Sequence, residues 1–261
     1  MIKKTDNILH SNPDLYDVFE DDKNLSMAKF IHSILQCYGV TGTVLDIGSG
    51  LGREAGYLTE KGYEVCGIDN SSEMVKWAKE HYPSANFMMM NQNDFFLNKK
   101  FDAVYCVGST FLYNYRNEDA ICTVSQIREH CKKGAILYLD MRNAAFFLTE
   151  EGQGWLKDPI VEDAKYQGKD VRLITKFSID LANQILLRNY KWQFKDGETI
   201  VENLKHRLFF PMEMKMLLES GGFKVEKIFD YPAPHIGEIS NEVEYSTDMT
   251  GRRMQIVARA V

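Results

Sequence analysis

The spacing of apolar residues divides the chain into elements before any motif is considered. In "LSMAKFIHSILQCY", Phe30, Ile31, Ile34, Leu35 and Tyr38 recur at helical spacing and predict an amphipathic helix. From Val44 the pattern turns into short apolar runs: "TVLDI", "EVCGI", "NFMMM", "FDAVYCV" and "AILYLDM". Unbroken, β-rich runs of this kind fit strands covered on both faces. Helical stretches separate them. "SSEMVKWAKEHY" opens with a capping box from Asn70 to Glu73. "NEDAICTVSQIREHCKKG" is predicted to stop at its lysines and Gly134. Strand–helix alternation implies an α/β fold with a doubly wound, Rossmann-like, mostly parallel sheet.

After Met141 the rhythm changes. "VRLITKFSID", "ILLRNYKWQF" and "TIVENLKHRLFF" follow one another across the turn-like links "LANQ" and "KDGE", with no room for a helix between them. They predict an antiparallel meander. "MEMKMLLESGGF" then reads as a helix closed by Gly221 and Gly222, and "KVEKIFDY" and "RRMQIVARAV" as two final strands. The expected organisation is a helical segment over 1–40 and a domain over 41–261 built on a seven-stranded sheet. Residues 165–210 are expected to be an antiparallel lid inserted after the fifth strand of that sheet.

Composition changes this picture little. The chain has 261 residues, of which 44% are hydrophobic and 26% charged, within the ordinary globular range. A formal net charge of -6 disfavours a broad basic surface for nucleic acid. An apolar run of membrane-spanning length is absent, and the first residues lack the apolar core of a secretory signal; the expectation is no membrane association and a cytoplasmic location. The five cysteines form no C-x-x-C pair, and the six histidines no H-x-x-x-H pair, so no metal is expected. Cys66 and Cys106 lie in strand-like runs and read as small buried hydrophobes. The run Met88–Met90 reads as core.

The candidate chemistry lies in "VLDIGSGLGREAGYLTEKGYEVCGID". A glycine loop between strand and helix is a nucleotide site in outline. A dinucleotide fingerprint needs G-x-G-x-x-G, but Gly48, Gly50 and Gly52 give G-x-G-x-G, with Arg53 where the third glycine belongs. Asp46, two residues before the first glycine, would repel a pyrophosphate. It suits a ligand that carries positive charge and no phosphate. Asp69 ends the second strand, where an acid can accept hydrogen bonds from ribose hydroxyls.

On these residues the segment "LDIGSGLGREAGYLTEKGYEVCGIDNSSEMVKWAKE" resembles the cofactor-binding signature of class I S-adenosylmethionine-dependent methyltransferases. "FDAVYCVGS" and "LFFPMEMKMLLESGGF" extend the likeness over most of the chain. The insert after the fifth strand makes the chain similar to small-molecule methyltransferases, including amino-sugar and glycine N-methyltransferases. The resemblance implies S-adenosylmethionine as cofactor and methyl transfer to an amine of a small molecule. The Gly48–Gly52 backbone, Ser49 included, would cradle the cofactor with Asp46 supporting the loop. Asp69 would bind the ribose, and Asn70 and Ser71 would border the adenine. Asn91 stands where the family often has an acid, with the Gln92 amide beside it and Asp94 as an alternative. The carbonyl of Val107 or Gly108 would face the methionine ammonium.

The substrate cleft is expected over the carboxyl ends of the strands, walled by "DLYDVFEDD", "GSTFLYNY" and the lid. Tyr16, Tyr113, Arg142 and His235 are the substrate-facing candidates; Arg142 would meet an anionic group of the substrate. His206 alternates with apolar neighbours and points either into the cleft or to solvent. Arg53 reads as a solvated or salt-bridged helix residue and Arg207 as structural. No general base stands out. An O-methyltransferase of the same fold and a non-catalytic cofactor-binding protein are the competing readings, and either a monomer or a homodimer fits.

Overall fold

The structure is a computed structural model that describes residues 2–4, 7–20, 22–234 and 244–261. His235 therefore lies outside the described residues. Strand β1 (Ile2–Lys4) is followed by helices α1 (Pro13–Phe19) and α2 (Ser26–Cys37). Then come β2 (Thr43–Ile47), α3 (Arg53–Glu60), β3 (Glu64–Asp69), α4 (Ser72–His81), β4 (Asn86–Met89), β5 (Phe101–Cys106), α5 (Asn117–His130) and β6 (Cys131–Arg142). The second half has α6 (Glu150–Lys157), β7 (Ile160–Tyr166), β8 (Lys169–Asp180), β9 (Ile185–Phe194), β10 (Thr199–Arg207), α7 (Pro211–Ser220), β11 (Phe223–Phe229) and β12 (Arg253–Ala260).

Among the described residues the strands form two sheets. The larger has seven strands in the order β11-β12-β6-β5-β2-β3-β4. β6, β5, β2, β3 and β4 run parallel, while β12 lies antiparallel to both β6 and β11. The chain starts at β2 and winds outward on both sides, so the order reverses between β2 and β5. The loops that follow these two strands diverge there and leave a crevice at their carboxyl ends. Apolar layers cover both faces. Val124 and Ile127 of α5 and Met214 and Leu218 of α7 pack on one face. Phe30 and Ile34 of α2, Leu58 of α3 and Val75 of α4 pack on the other.

The second sheet has the order β1-β10-β9-β8-β7. β7 to β10 are antiparallel neighbours, and β1 adds in parallel at the edge of β10. The three meander strands lie where their alternation put them. β7 and β1 were missed: β7 alternates weakly because most of its residues are half-buried or exposed, and three residues of β1 are too few to show a period.

Local details depart from the sequence reading. Ser71, not Asn70, caps α4, its hydroxyl accepting from the Met74 amide at 3.2 Å. α5 ends at His130, and Lys132 and Lys133 already belong to β6. Met89 is 64% exposed, because β4 is an edge strand; Met88 and Met90 pack partly against the core. Cys66 and Cys106 are buried as expected, and burial pushes the Cys66 thiol up to about 11.

Candidate active site

The loop after β2 is held by short backbone hydrogen bonds. The amides of Gly48 and Ser49 both donate to the Ile68 carbonyl, at 2.8 and 3.0 Å, and the Gly52 amide donates to the Ser49 carbonyl at 2.7 Å. Gly48 and Gly52 have φ of 75° and 76°, a left-handed conformation costly for other residues. A Cβ at Gly48 would come within 2.3 Å of the Thr110 side chain; one at Gly52 would come within 2.6 Å of the Phe87 ring. A Cβ at Gly50 would meet nothing within 4 Å. Gly48 and Gly52 are therefore required by packing, while Gly50 faces open space.

That space is a cavity of about 850 Å³ at the switch point of the large sheet. Eight of the twelve cofactor candidates line it: Gly48, Ser49, Gly50, Asp69, Asn70, Gln92, Val107 and Gly108. Asp69 joins the two sides of the crevice, accepting from the Gly50 amide on one carboxylate oxygen and from the Ser71 amide on the other, each at 2.9 Å. Burial raises the pKa of its carboxyl, and these amides act against the rise.

The other four lie off the wall. Gly52 faces Phe87, Ser71 caps α4, and Asn91 is exposed. Asp46 is buried under the loop, and its Oδ1 atom has no hydrogen-bond partner. Burial, followed by the charge of Glu54, holds its carboxyl well above the ordinary range, while the Tyr105 hydroxyl beside it acts in the opposite direction.

The loop after β5 forms the opposite wall. The Gly108 amide donates to Asp140 Oδ2 at 3.2 Å, and the Ser109 hydroxyl accepts from Arg253 Nη1 at 2.9 Å. The N-terminal segment closes a third side. Arg53 pairs with the Asp17 carboxylate and donates to the Glu20 carbonyl, which fastens α1 over the glycine loop. The Ser71 hydroxyl donates to the His10 carbonyl at 2.7 Å, and the Tyr113 hydroxyl lies 3.2 Å from His10 Nε2.

Tyr16, Tyr113 and Arg142 all reach this cavity. Burial raises the hydroxyl of Tyr16 well above its ordinary value and that of Tyr113 to about 12, so both stay protonated at neutral pH. Burial, then the charge of Arg188, lowers His10 to about 4 and keeps its imidazole neutral. His206 points inward, with its ring 5.0 Å from that of Tyr113 and nearly perpendicular to it. Arg207 is bonded to the Asn183 carbonyl and paired with Glu213, a structural setting.

The sequence reading placed the segment of Glu20 and the lid strand of Arg188 in the wall but singled out neither residue, and it missed His10. For Arg188 a signal existed: it shares the inward face of β9 with Leu186, Tyr190 and Trp192, and a cation in such a row is anomalous. His10 carried no signal, because it reaches the site only through the course of the N-terminal segment. Among the described residues no helix is long and apolar enough to cross a membrane.

The comparisons with known proteins agree with this geometry. A family model described as a methyltransferase domain matches residues 44–134. Glycine/sarcosine N-methyltransferase of Aphanothece halophytica is 25% identical over 211 residues, covering 77% of this chain and 73% of that protein. Among solved structures, DesVI of Streptomyces venezuelae superposes with a TM-score of 0.73 at 18% identity, covering 95% and 98% of the two chains. CalS10, an amino pentose methyltransferase of Micromonospora echinaspora solved with S-adenosylmethionine bound, gives a TM-score of 0.68 at 16% identity, covering 92% and 91%. The chain thus carries a methyltransferase domain over residues 44–134 and is an S-adenosylmethionine-dependent methyltransferase, similar in fold to the class I enzymes.

Proposed function

We infer that this methyltransferase acts on an amine of a small molecule, by in-line displacement. The observation that carries the reading is the continuity of one cavity. It runs from the glycine loop and Asp69, past Tyr16 and Tyr113, to Arg142, so cofactor and acceptor ends share a single cavity. The similarity to a glycine/sarcosine N-methyltransferase over most of both chains supports an amine as acceptor.

The residues present fit the cofactor. Ser49 Oγ and Gln92 Oε1 are buried in the wall without hydrogen-bond partners, and Gly50 leaves room in front of the loop. The Gly48–Gly50 backbone and Ser49 would hold the methionine end and the adenosine, and Asp69 the ribose. Asn70 and Gln92 would border the adenine, and the carbonyls of Val107 and Gly108 would face the ammonium. Asp46, Gly52 and Ser71 would act by holding the loop and the start of α4 in place. Asn91, being exposed, would contribute through its backbone.

When bound, the cofactor supplies an activated methyl group from its sulfonium. The protein's part is alignment of the acceptor and exclusion of water. Tyr16 and Tyr113 line the passage with their rings and keep their hydroxyls for hydrogen bonding. An amine must present a free lone pair, so it has to bind uncharged or lose a proton. The strands β8 to β10 form the lid over this space.

The test is formation of S-adenosylhomocysteine from S-adenosylmethionine with matched amine and hydroxyl compounds. Turnover confined to hydroxyl compounds would overturn the amine acceptor. Tight cofactor binding without turnover of any compound would favour a non-catalytic binder.

A further inference from the structure

The roof of the cavity carries a charge imbalance that methyl transfer alone does not explain. Arg188 sits on the inward face of β9 and is only 8% exposed. Its cross-strand neighbours are Phe177 on β8 and Leu204 on β10. Arg142, at the end of β6, places its guanidinium carbon 5.7 Å from the centre of the Phe177 ring. The Arg188 guanidinium carbon lies 4.9 Å from the centre of the Tyr190 ring, so the two arginines, from different sheets, each rest on an aromatic ring and both line the cavity.

Other inward cations have their counter-charges. Arg253 is paired with Asp140, and Arg207 with Glu213. Among the described residues no carboxylate lies within ion-pair distance of Arg142 or Arg188, and the Nε of each is buried without a hydrogen-bond partner. The nearest acids, Glu20 and Glu202, act on these arginines only from beyond ion-pair distance. Glu202 accepts from Trp192 Nε1 at 3.0 Å and from the Ile8 amide, and Glu20 lies in the cavity wall at the C-terminal end of α1.

His206 extends the cluster. Arg188 Nη1 lies 3.2 Å from His206 Nε2. An arginine only donates, so Nε2 accepts and the imidazole proton resides on Nδ1. That Nδ1 is also buried without a partner. Each of the three unanswered atoms at this end is therefore an N–H donor. Burial and the mutual repulsion of the cations push Arg142 and His206 downward, as for a cationic cluster that lacks its counter-ion.

We propose that this end of the cavity binds the acceptor through a doubly charged oxyanionic portion, a phosphoryl group or a pair of carboxylates, held between Arg142 and Arg188. A single negative charge would answer one guanidinium and leave the other buried and unpaired, which is strongly unfavourable. Guanidinium forks match carboxylate and phosphate oxygens in geometry. The amine to be methylated then lies toward Tyr16 and Tyr113, on the cofactor side. This inference rests on reading the cavity as the acceptor site of the methyltransferase.

The test is calorimetric titration of the full chain saturated with S-adenosylhomocysteine. The probes are ethanolamine, β-alanine, free aspartate, O-phosphoethanolamine and inorganic phosphate. At least one doubly charged probe is expected to bind about tenfold more tightly than β-alanine, and ethanolamine more weakly still. Preference for aspartate identifies two carboxylates; preference for the phosphorylated probes identifies a phosphoryl group. Arg188→Gln is expected to reduce the doubly charged probe to the level of β-alanine, Arg188→Lys to restore part of the difference, and both to leave the affinity for S-adenosylhomocysteine within about twofold. Equal binding of β-alanine and all doubly charged probes, binding of none, or an equal loss of every probe in Arg188→Gln would overturn the proposal. Failure of S-adenosylhomocysteine to bind would instead count against the functional reading, and the same titrations on the cofactor-free protein would still score the anion site.

Discussion

Arg253 on β12 grips Asp140 on β6 through both carboxylate oxygens, with Nε 3.0 Å from Oδ1 and Nη2 on Oδ2. Asp140 is fully buried, and the same Oδ2 accepts from the Gly108 amide. The pair thus ties β12 of the large sheet to the loop that walls the cavity. Removing one partner leaves a buried charge unanswered. Arg253→Met is expected to lower stability by about 3–5 kcal/mol. Urea unfolding is the measurement, and a loss under about 1 kcal/mol would show that the pair is replaceable.

The glycine loop gives a graded series. Gly52→Ala must bear both a left-handed φ of 76° and a Cβ within 2.6 Å of Phe87. Gly50→Ala bears only the backbone cost, at φ 48° in open space. The expected losses are about 2–5 kcal/mol for Gly52→Ala and about 1–2 kcal/mol for Gly50→Ala. Thermal melts of both variants check the order; Gly50→Ala falling below Gly52→Ala in stability would contradict the packing account.

Asp69→Ala removes the acceptor for the Gly50 and Ser71 amides as well as the proposed ribose contact. Affinity for S-adenosylmethionine should fall roughly ten- to a hundredfold, as for loss of hydrogen bonds to a charged group. Calorimetry on variant protein shown to be folded by circular dichroism measures it. An unchanged dissociation constant would refute the assignment of Asp69.

Acid should loosen the N-terminal segment. His10 has a folded-state pKa of about 4, below its ordinary value of 6.5, because burial and Arg188 disfavour its cation. The unfolded chain therefore takes up a proton first. The contribution to stability is fully present above pH 6.5 and is lost progressively as pH falls toward 4. His206, lowered by burial and by Arg188, acts in the same direction. Melting temperatures recorded across this range should fall more steeply for wild type than for His10→Asn. Parallel curves would mean that His10 is not held neutral by the fold.

Much of the fold was legible in the sequence, because its causes are local. Each run such as "TVLDI" or "FDAVYCV" carries its own reason to be a strand, and the positive φ of Gly48 and Gly52 is a property of the turn itself. The weak points had one tertiary and one local cause. Met89 looked like its neighbours and became exposed only because β4 has no strand beyond it. Asn70 and Ser71 are both good helix caps, and the hydrogen bond to Met74 chose Ser71.

The sequence by itself determined the strand–glycine-loop–helix unit, the acid at the end of β3 and the antiparallel meander. Local backbone preference and apolar periodicity suffice for these. Only the tertiary structure decided what meets in the cavity. His10 reaches Ser71 across 61 residues and Tyr113 across 103. Arg188 lies beside His206 because the register of β9 and β10 turns both inward, and near Arg142 because the second sheet closes over the first. Such meetings depend on how whole layers pack, and no residue's immediate neighbours in the chain encode them.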